Sequence, residues 1–356
     1  MSYQALLNRL QIQYPIFLAP MAGGPSTPEL AAAVSNAGGL GAIGVEYLSV
    51  DQTREAIRRT RELTDKPIHV NLFVPASQST GASDADAMLR ILEPIHRDLG
   101  IAPPVSPLPS PSAFEERFAA VLEARPEVFS STFGMLSPEH VKSLQVCGTF
   151  VIGTATTAHE GKLLEATGVD GIVAQGSEAG GHRGTFASSF ESSMVPRLKL
   201  VREIVSQTGL PVIASGGLMT GSDISHALES GACAAQLGTA FLACPEAGTS
   251  KPYREALLSA TTNTTVITRA FSGRPARGLA NRFSELLAMH EEIILPFPLQ
   301  NTLTRAMRKS AGEQNRAEFL SLWAGTGVAK ARSMPASELV RVLVEEMNAD
   351  LQNRKR

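Results

Sequence analysis

The stretch 211–241, "PVIASGGLMTGSDISHALESGACAAQLGTAF", decides the fold. It opens on a short apolar run, "PVIAS" (211–215), and turns through a glycine pair. It then enters "GSDISHALESGA", which carries helix start and stop signals. It closes on a second apolar run, "AAQLGT" (234–239). Strand, helix and strand in this order form a βαβ unit, the building block of a parallel sheet.

The same alternation extends towards the N-terminus. Apolar runs recur at "IFLA" (16–19), "GLGAIG" (39–44), "IHVNLF" (68–73), "VFSSTF" (128–133), "TFVIGT" (149–154) and "GIVAQ" (171–175). Helical patterns such as "TPELAAAVSNAGG", "DQTREAIRRTREL", "SPEHVKSLQVCG" and "TAHEGKLLEATG" separate most of them. Eight strands alternating with helices over residues 1–245 predict a (β/α)8 TIM barrel, with an open doubly wound sheet as the alternative. After "NLFVP", a polar stretch, the helical "ADAMLRILEPIHRDL" and the proline-rich "LGIAPPVSPLPSPSAF" read as an insertion, 75–111, following the third strand. It is either a cover over one end of the barrel or a spacer. From 246 to 356 the alternation stops, and "ANRFSELLAMHEEIIL", "NTLTRAMRKSAG" and "PASELVRVLVEEMNADLQ" predict a smaller, mainly helical subdomain beside the barrel mouth.

Composition narrows the function classes. The 356 residues carry a formal net charge of -2, with no block of Lys and Arg before the terminal "NRKR", so nucleic acid is a poor partner. Cys147, Cys233 and Cys244 show no CxxC spacing, and the seven histidines show no HExxH, so no metal site is expected. The opening "MSYQALLNRLQIQYP" lacks an apolar signal-peptide core, and no run is long enough to span a bilayer. A cytoplasmic protein, monomer or homodimer, is expected.

In a (β/α)8 barrel the loops after the strands share the face that carries the active site. Glycines after the seventh and eighth strands, in "ASGGLMTGSDI" and "AAQLGTAF", let the backbone N–H groups approach a phosphate. Ser215, Gly216, Gly217, Gln236, Leu237, Gly238 and Thr239 belong to these turns. "PMAGG" after the first strand, with Met21, Ala22 and Gly23, offers an apolar edge to a flat ring. Asn71 and Gln175 end the third and sixth strands, and their amides suit a ring edge such as a flavin pyrimidine. After the sixth strand comes "QGSEAGGHRG", where Gly180, Gly181 and Gly184 let a loop pass closely over a ring and carry His182 to its face. An imidazole near its ordinary pKa exchanges a proton at neutral pH, or as imidazolium attracts an anion. Glu178 and Arg183 read as anchors of that loop. Arg274 and Arg277, in "FSGRPARG", either fix the tail to the barrel or draw in an anion, and "LPFPLQN" supplies bulk for a pocket wall.

These motifs together resemble the nitronate monooxygenase family, formerly 2-nitropropane dioxygenases, and most closely its class I. The matching stretches run from "PIFLAPMAGGPSTPELAAAVSNAGGLGAIG" through "GSEAGGHRG", "ASGGL" and "QLGTAFL" to "TRAFSGRPARG", "PFPLQN" and "WAGTG". The resemblance implies FMN held without a covalent bond. It implies oxidation of alkyl nitronates, notably propionate 3-nitronate, by O2 to carbonyl products and nitrite or nitrate, a detoxification of nitro compounds. It also implies that Asn71, Gln175, Gly180, Gly217 and Gln236 to Thr239 contact FMN and that His182 is catalytic. Thr326, in "WAGTG", departs from the Gln the family pattern leads one to expect, and bears on substrate preference if it touches substrate. The rival reading is an FMN-dependent NAD(P)H:quinone or enoyl-thioester reductase on the same barrel. No GxGxxG follows the first strand, so a separate dinucleotide-binding domain is not expected.

Overall fold

The computed structural model describes residues 2–75, 85–106 and 113–354. Its strands, in chain order, are β1 (Ile16–Leu18), β2 (Gly41–Gly44), β3 (Ile68–Phe73), β4 (Val128–Thr132), β5 (Phe150–Ala155), β6 (Gly171–Gln175), β7 (Gly181–His182), β8 (Val212–Ser215), β9 (Ala234–Leu237), β10 (Thr265–Thr268) and β11 (Ala276–Leu279). Eight of them form one parallel sheet in the order β1-β9-β8-β6-β5-β4-β3-β2. A Phe17–Leu40 bridge joins the β1 edge to the start of β2 and draws the sheet into a barrel. The expected (β/α)8 barrel is the observed one, and all eight apolar runs became its strands.

Local chemistry explains the alternation. Thr27, Ser49, Ser137, Thr157 and Thr220 each cap a helix by accepting the backbone N–H three residues on, and Ser49–Gln52 and Thr220–Asp223 form reciprocal capping boxes. The strands between them are short and buried almost throughout, because helices cover their outer faces.

The apolar core divides into three. The main cluster lies between the strands and their helices. A second cluster, including Leu6, Leu7, Leu10, Phe17, Phe150, Ile152 and Ile213, fills the lower barrel. There the helix Tyr3–Leu10 buries its apolar stripe as a plug. The third cluster lies at the opposite end. It joins Met88, Leu92 and Ile95 of the insertion helix Asp86–Asp98 to Phe271, Phe283 and Met307 of the tail. The insertion helix is thus packed on the tail, and Gln314 Nε2 donates to Leu99 O at 2.7 Å. The remainder of the insertion, 76–84 and 107–112, lies outside the described residues.

The tail after residue 245 divides in its packing. The helix Ala336–Asn353 does not sit at the mouth. It packs against the helices Gly221–Glu229 and Pro28–Asn36 and buries Leu339, Val340, Leu343 and Met347 in the main cluster. It occupies the wall position between β9 and β1, which no helix directly after β9 fills. Residues 251–330 are an excursion over the mouth, and they are not purely helical. β10, β11 and β7 form an antiparallel sheet there, pairing Ala276 with His182 and Arg277 with Gly181.

Candidate active site

A cleft of about 1080 Å³ opens at the C-terminal ends of the barrel strands, beneath the excursion. Met21, Ala22, Gly23, Asn71, Gln175, Gly180, Gly181, His182, Ser215, Gly216, Gly217, Gln236, Gly238 and Thr239 all line it. Leu237 does not. Side chains alternate along a strand, so Gln236 points inward and Leu237 is buried in the main core, while its carbonyl accepts from Ala19 N at 2.8 Å.

The turn after β8 holds Gly216 and Gly217 at φ of +117° and +67°, left-handed conformations that favour glycine. A Cβ at Gly217 would also lie 2.9 Å from Glu178 Cβ. Thr239 Oγ1 accepts from Gly325 N at 2.9 Å and keeps its own hydrogen. Through this bond the segment 323–327 is seated on the turn after β9, and Thr326 N donates to Glu178 O at 3.0 Å. Thr326 Oγ1 would stand 3.1 Å from a Cβ at Gly217. The position where the sequence departs from the family pattern therefore adjoins the glycine pair.

The two amides have more structural work than the sequence suggested. Gln175 Nε2 donates to His182 O at 2.9 Å and its Oε1 accepts from Gly184 N at 2.7 Å, so Gln175 clamps the histidine loop with both ends. Asn71 Nδ2 donates to Ser130 Oγ at 2.8 Å and to Ser130 O at 3.1 Å, leaving its carbonyl oxygen to the cleft side of the amide. Gln236 is different: its Oε1 is buried with no partner.

The loop carrying His182 is tied on every side. Arg183 is fully buried and donates to the carbonyls of Gly176 (2.6 Å), Gln175 (3.0 Å) and Ser193 (2.8 Å). Glu178 accepts from Arg197 N at 2.9 Å. Glu160, missed by sequence reasoning, accepts from Thr185 Oγ1 (2.7 Å), Phe186 N (2.8 Å) and Ala187 N (3.0 Å). Burial opposes its ionisation, but the bonds from Thr156, Thr185, Ala187 and Phe186 outweigh it and hold its pKa below the usual range. Arg277 donates to Ser177 O at 3.0 Å, and Arg274 to Arg183 O at 3.2 Å and to Thr185 O. Both arginines thus fix the tail to the loop through carbonyls.

His182 stands among aromatic rings. Trp323 lies 5.5 Å away between centroids, Phe133 5.7 Å, Phe297 6.1 Å and Phe73 6.5 Å. The Arg274 guanidinium stacks 3.8 Å from the centre of the Phe133 ring, a cation–π contact. Ser272 Oγ lies 2.8 Å from His182 Nε2 and 3.2 Å from Arg274 O, within hydrogen-bond reach of both. Burial, and next the charges of Arg274 and Arg308, push the His182 pKa down to about 3. The imidazole is neutral at pH 7. This corrects the expectation of a group poised near neutrality: the positive field comes from the arginines.

A family model described as nitronate monooxygenase matches residues 4–346. The chain belongs to the nitronate monooxygenase family. Nitronate monooxygenase of Pseudomonas aeruginosa is 43% identical over 342 residues, covering 95% of this chain and 97% of that protein. A probable nitronate monooxygenase of Staphylococcus aureus is 38% identical over 348 residues, 98% of each. The structure of nitroalkane oxidase from Streptomyces ansochromogenes aligns with a TM-score of 0.89 at 37% identity, covering 98% of this chain and 99% of that one.

As a nitronate monooxygenase family member, the chain carries features its motifs did not announce. Ser272 lies inside "FSGRPARG", a stretch read only for its arginines. Phe73 and Phe133 close strand runs, where an aromatic residue looks like core. Tyr47 and Arg308 lie in no motif, and both line the cleft. Among the described residues no His, Cys, Asp and Glu cluster could hold a metal, and no helix is long and apolar enough to cross a membrane.

Proposed function

We propose that this chain is an FMN-dependent nitronate monooxygenase that oxidises alkyl nitronates, propionate 3-nitronate among them, with O2 to carbonyl products and nitrite or nitrate. The observation that carries this reading is His182 set against an aromatic wall, in the same cleft as the left-handed glycine pair after β8. The residues present fit the cofactor. The buried Gln236 Oε1 lacks a partner, and Gly216 and Gly217 expose their backbone at the end of a barrel strand. On this reading Gly216, Gly217 and the Thr239 hydroxyl hold the phosphate, as the TIM-barrel pattern favours. Asn71 and Gln236 face the ring system, with Met21, Ala22 and Gly23 along its edge. FMN, when bound, supplies the one-electron chemistry and the reactivity towards O2.

The protein does the rest. The arginine field around His182 favours an anionic substrate. Phe73, Phe133, Phe297 and Trp323 exclude water from the reacting carbon. The His182 imidazole accepts a proton when the substrate arrives as a neutral nitroalkane. Denaturing the purified protein and chromatographing the released chromophore tests the cofactor, and oxygen uptake with a panel of nitronates tests the reaction. FMN and uptake with nitronates are expected. FAD, no flavin, or rapid flavin reduction by NADH with no nitronate response would overturn the reading.

A further inference from the structure

Arg197 stands behind the cleft and not in it. It opens the helix Arg197–Gln207, and its side chain is buried without lining the cleft wall. Its Nη1 donates to Gly216 O, in the turn after β8. Its Nε is buried without a partner. Among the described residues, no carboxylate lies within ion-pair distance of its guanidinium. The acids whose charge reaches it are Glu178 and Asp223, and both are occupied elsewhere. Glu178 accepts from the Arg197 backbone N–H at 2.9 Å, and Asp223 accepts from Met219 N and Thr220 N, each at 3.0 Å.

A buried guanidinium with no anion against it is costly. Arg183, Arg274 and Arg277 bind carbonyls of the histidine loop and its flanks, whereas Arg197 serves the glycine pair. A trans peptide is planar, and its C=O and N–H point to opposite sides. Arg197 holds the Gly216 oxygen from behind the turn, so the Gly217 N–H is turned towards the cleft that Gly217 lines. Among the described residues that N–H has no acceptor. A charged donor on the oxygen polarises the peptide and makes its N–H a stronger donor. The charge is also close: a Cβ at Gly217 would lie 3.6 Å from Arg197 Nη1. A neutral donor would satisfy one carbonyl equally well. A full charge without a paired anion fits an anion that binds across the turn.

We infer that Arg197 is a positioning residue for the terminal phosphate of the cofactor. From behind the turn it aims the Gly217 N–H at the phosphate and supplies positive charge. The inference rests on the FMN reading and deepens it. It makes the site discriminate FMN from riboflavin, which has the same ring and ribityl chain and no phosphate.

The test titrates flavin-free, full-length protein with FMN and with riboflavin, followed by flavin fluorescence, in the wild type, Arg197→Met and Arg197→Gln. Gln keeps a donor for Gly216 O and loses the charge, whereas Met loses both. FMN affinity should fall roughly 10- to 100-fold in Arg197→Met and roughly 3- to 10-fold in Arg197→Gln, with riboflavin affinity within about 2-fold of wild type in both. If Arg197→Met does not fold, Arg197→Gln decides. An equal loss for both flavins would make Arg197 a strut of the turn and overturn the inference, and so would unchanged FMN affinity. Wild-type protein that binds neither flavin would overturn the FMN reading on its own. Calorimetry with inorganic phosphate then decides about Arg197. Phosphate bound by the wild type and lost in Arg197→Gln upholds its role, and phosphate bound equally by both, or by neither, overturns it.

Discussion

Burial and two arginines keep the His182 imidazole neutral, and this sets what it can do. A base whose conjugate acid is this acidic still removes a proton, but with less driving force than one matched to neutral pH. His182→Asn should therefore reduce turnover of neutral nitroalkanes by about 10²-fold, the lower end for a positioned base, and turnover of preformed nitronates less. Steady-state oxygen consumption with each substrate form measures both, and equal near-wild-type rates would make His182 a structural strut. The pH profile carries a second expectation. With its pKa near 3, His182 stays in the base form from pH 5 to 9, so no limb near pH 6.5 should come from it. Rates at pH 5 and pH 7 on one fixed substrate form check this, and an inflection at 6.5 that vanishes in His182→Asn would contradict it. The loop around His182 was legible, because glycines flanking a histidine after a strand are a local pattern. Its aromatic wall was not: Phe73, Phe133, Phe297 and Trp323 come from four distant places in the chain and meet only in the fold.

Gly221 shows how closely the last helix is docked. It is the first residue of the helix Gly221–Glu229, and its N–H donates to Glu346 Oε2 at 2.8 Å. A Cβ there would lie 2.2 Å from Met347 N and 2.4 Å from Leu343 O, both backbone atoms that cannot swing away. Gly221→Ala should therefore push the terminal helix off its seat and cost about 1–3 kcal/mol, the range for overpacking. A lower urea midpoint with earlier proteolysis between residues 331 and 336 is the expected result. An unchanged midpoint would show that the helix contributes little to the barrel. The helix itself was visible in "PASELVRVLVEEMNADLQ" from its period. Its destination was not, since an apolar stripe states that a face is buried and not against what. The same ambiguity hid the sheet formed by β10, β11 and β7: "TTVIT" is rich in β-branched residues and pairs with nearby β11, but the strand on the other side of β11, Gly181–His182, lies over ninety residues earlier.

Acid stability depends on histidines buried throughout the molecule. His69 lies inside the barrel, bonded to Ser130 Oγ at 2.6 Å through Nε2, and burial pushes its pKa down to about 3, as in His182. In the unfolded chain both return to about 6.5. Between those values the unfolded chain binds protons that the folded chain refuses, so stability is full above pH 6.5 and declines as pH falls towards 3. Urea midpoints should be lower at pH 5 than at pH 7. His69→Gln removes one of the two groups and should flatten that slope whatever it does to stability at pH 7. A slope unaltered by the substitution would show that His69 does not take up a proton on unfolding.

The chain itself determined the barrel, the glycine turns after β8 and β9 and the loop that carries His182. Each is written in short-range terms: an apolar run of strand length, a capping residue, a glycine that must adopt positive φ. Tertiary structure alone decided that the tail returns its last helix to the barrel wall, that Gln175 clamps a loop, and that His182 is neutral. It also decided that Tyr47 and Arg308 share a cleft. Those properties depend on desolvation and on contacts between residues far apart in sequence, and neither has a signature in any local window of residues.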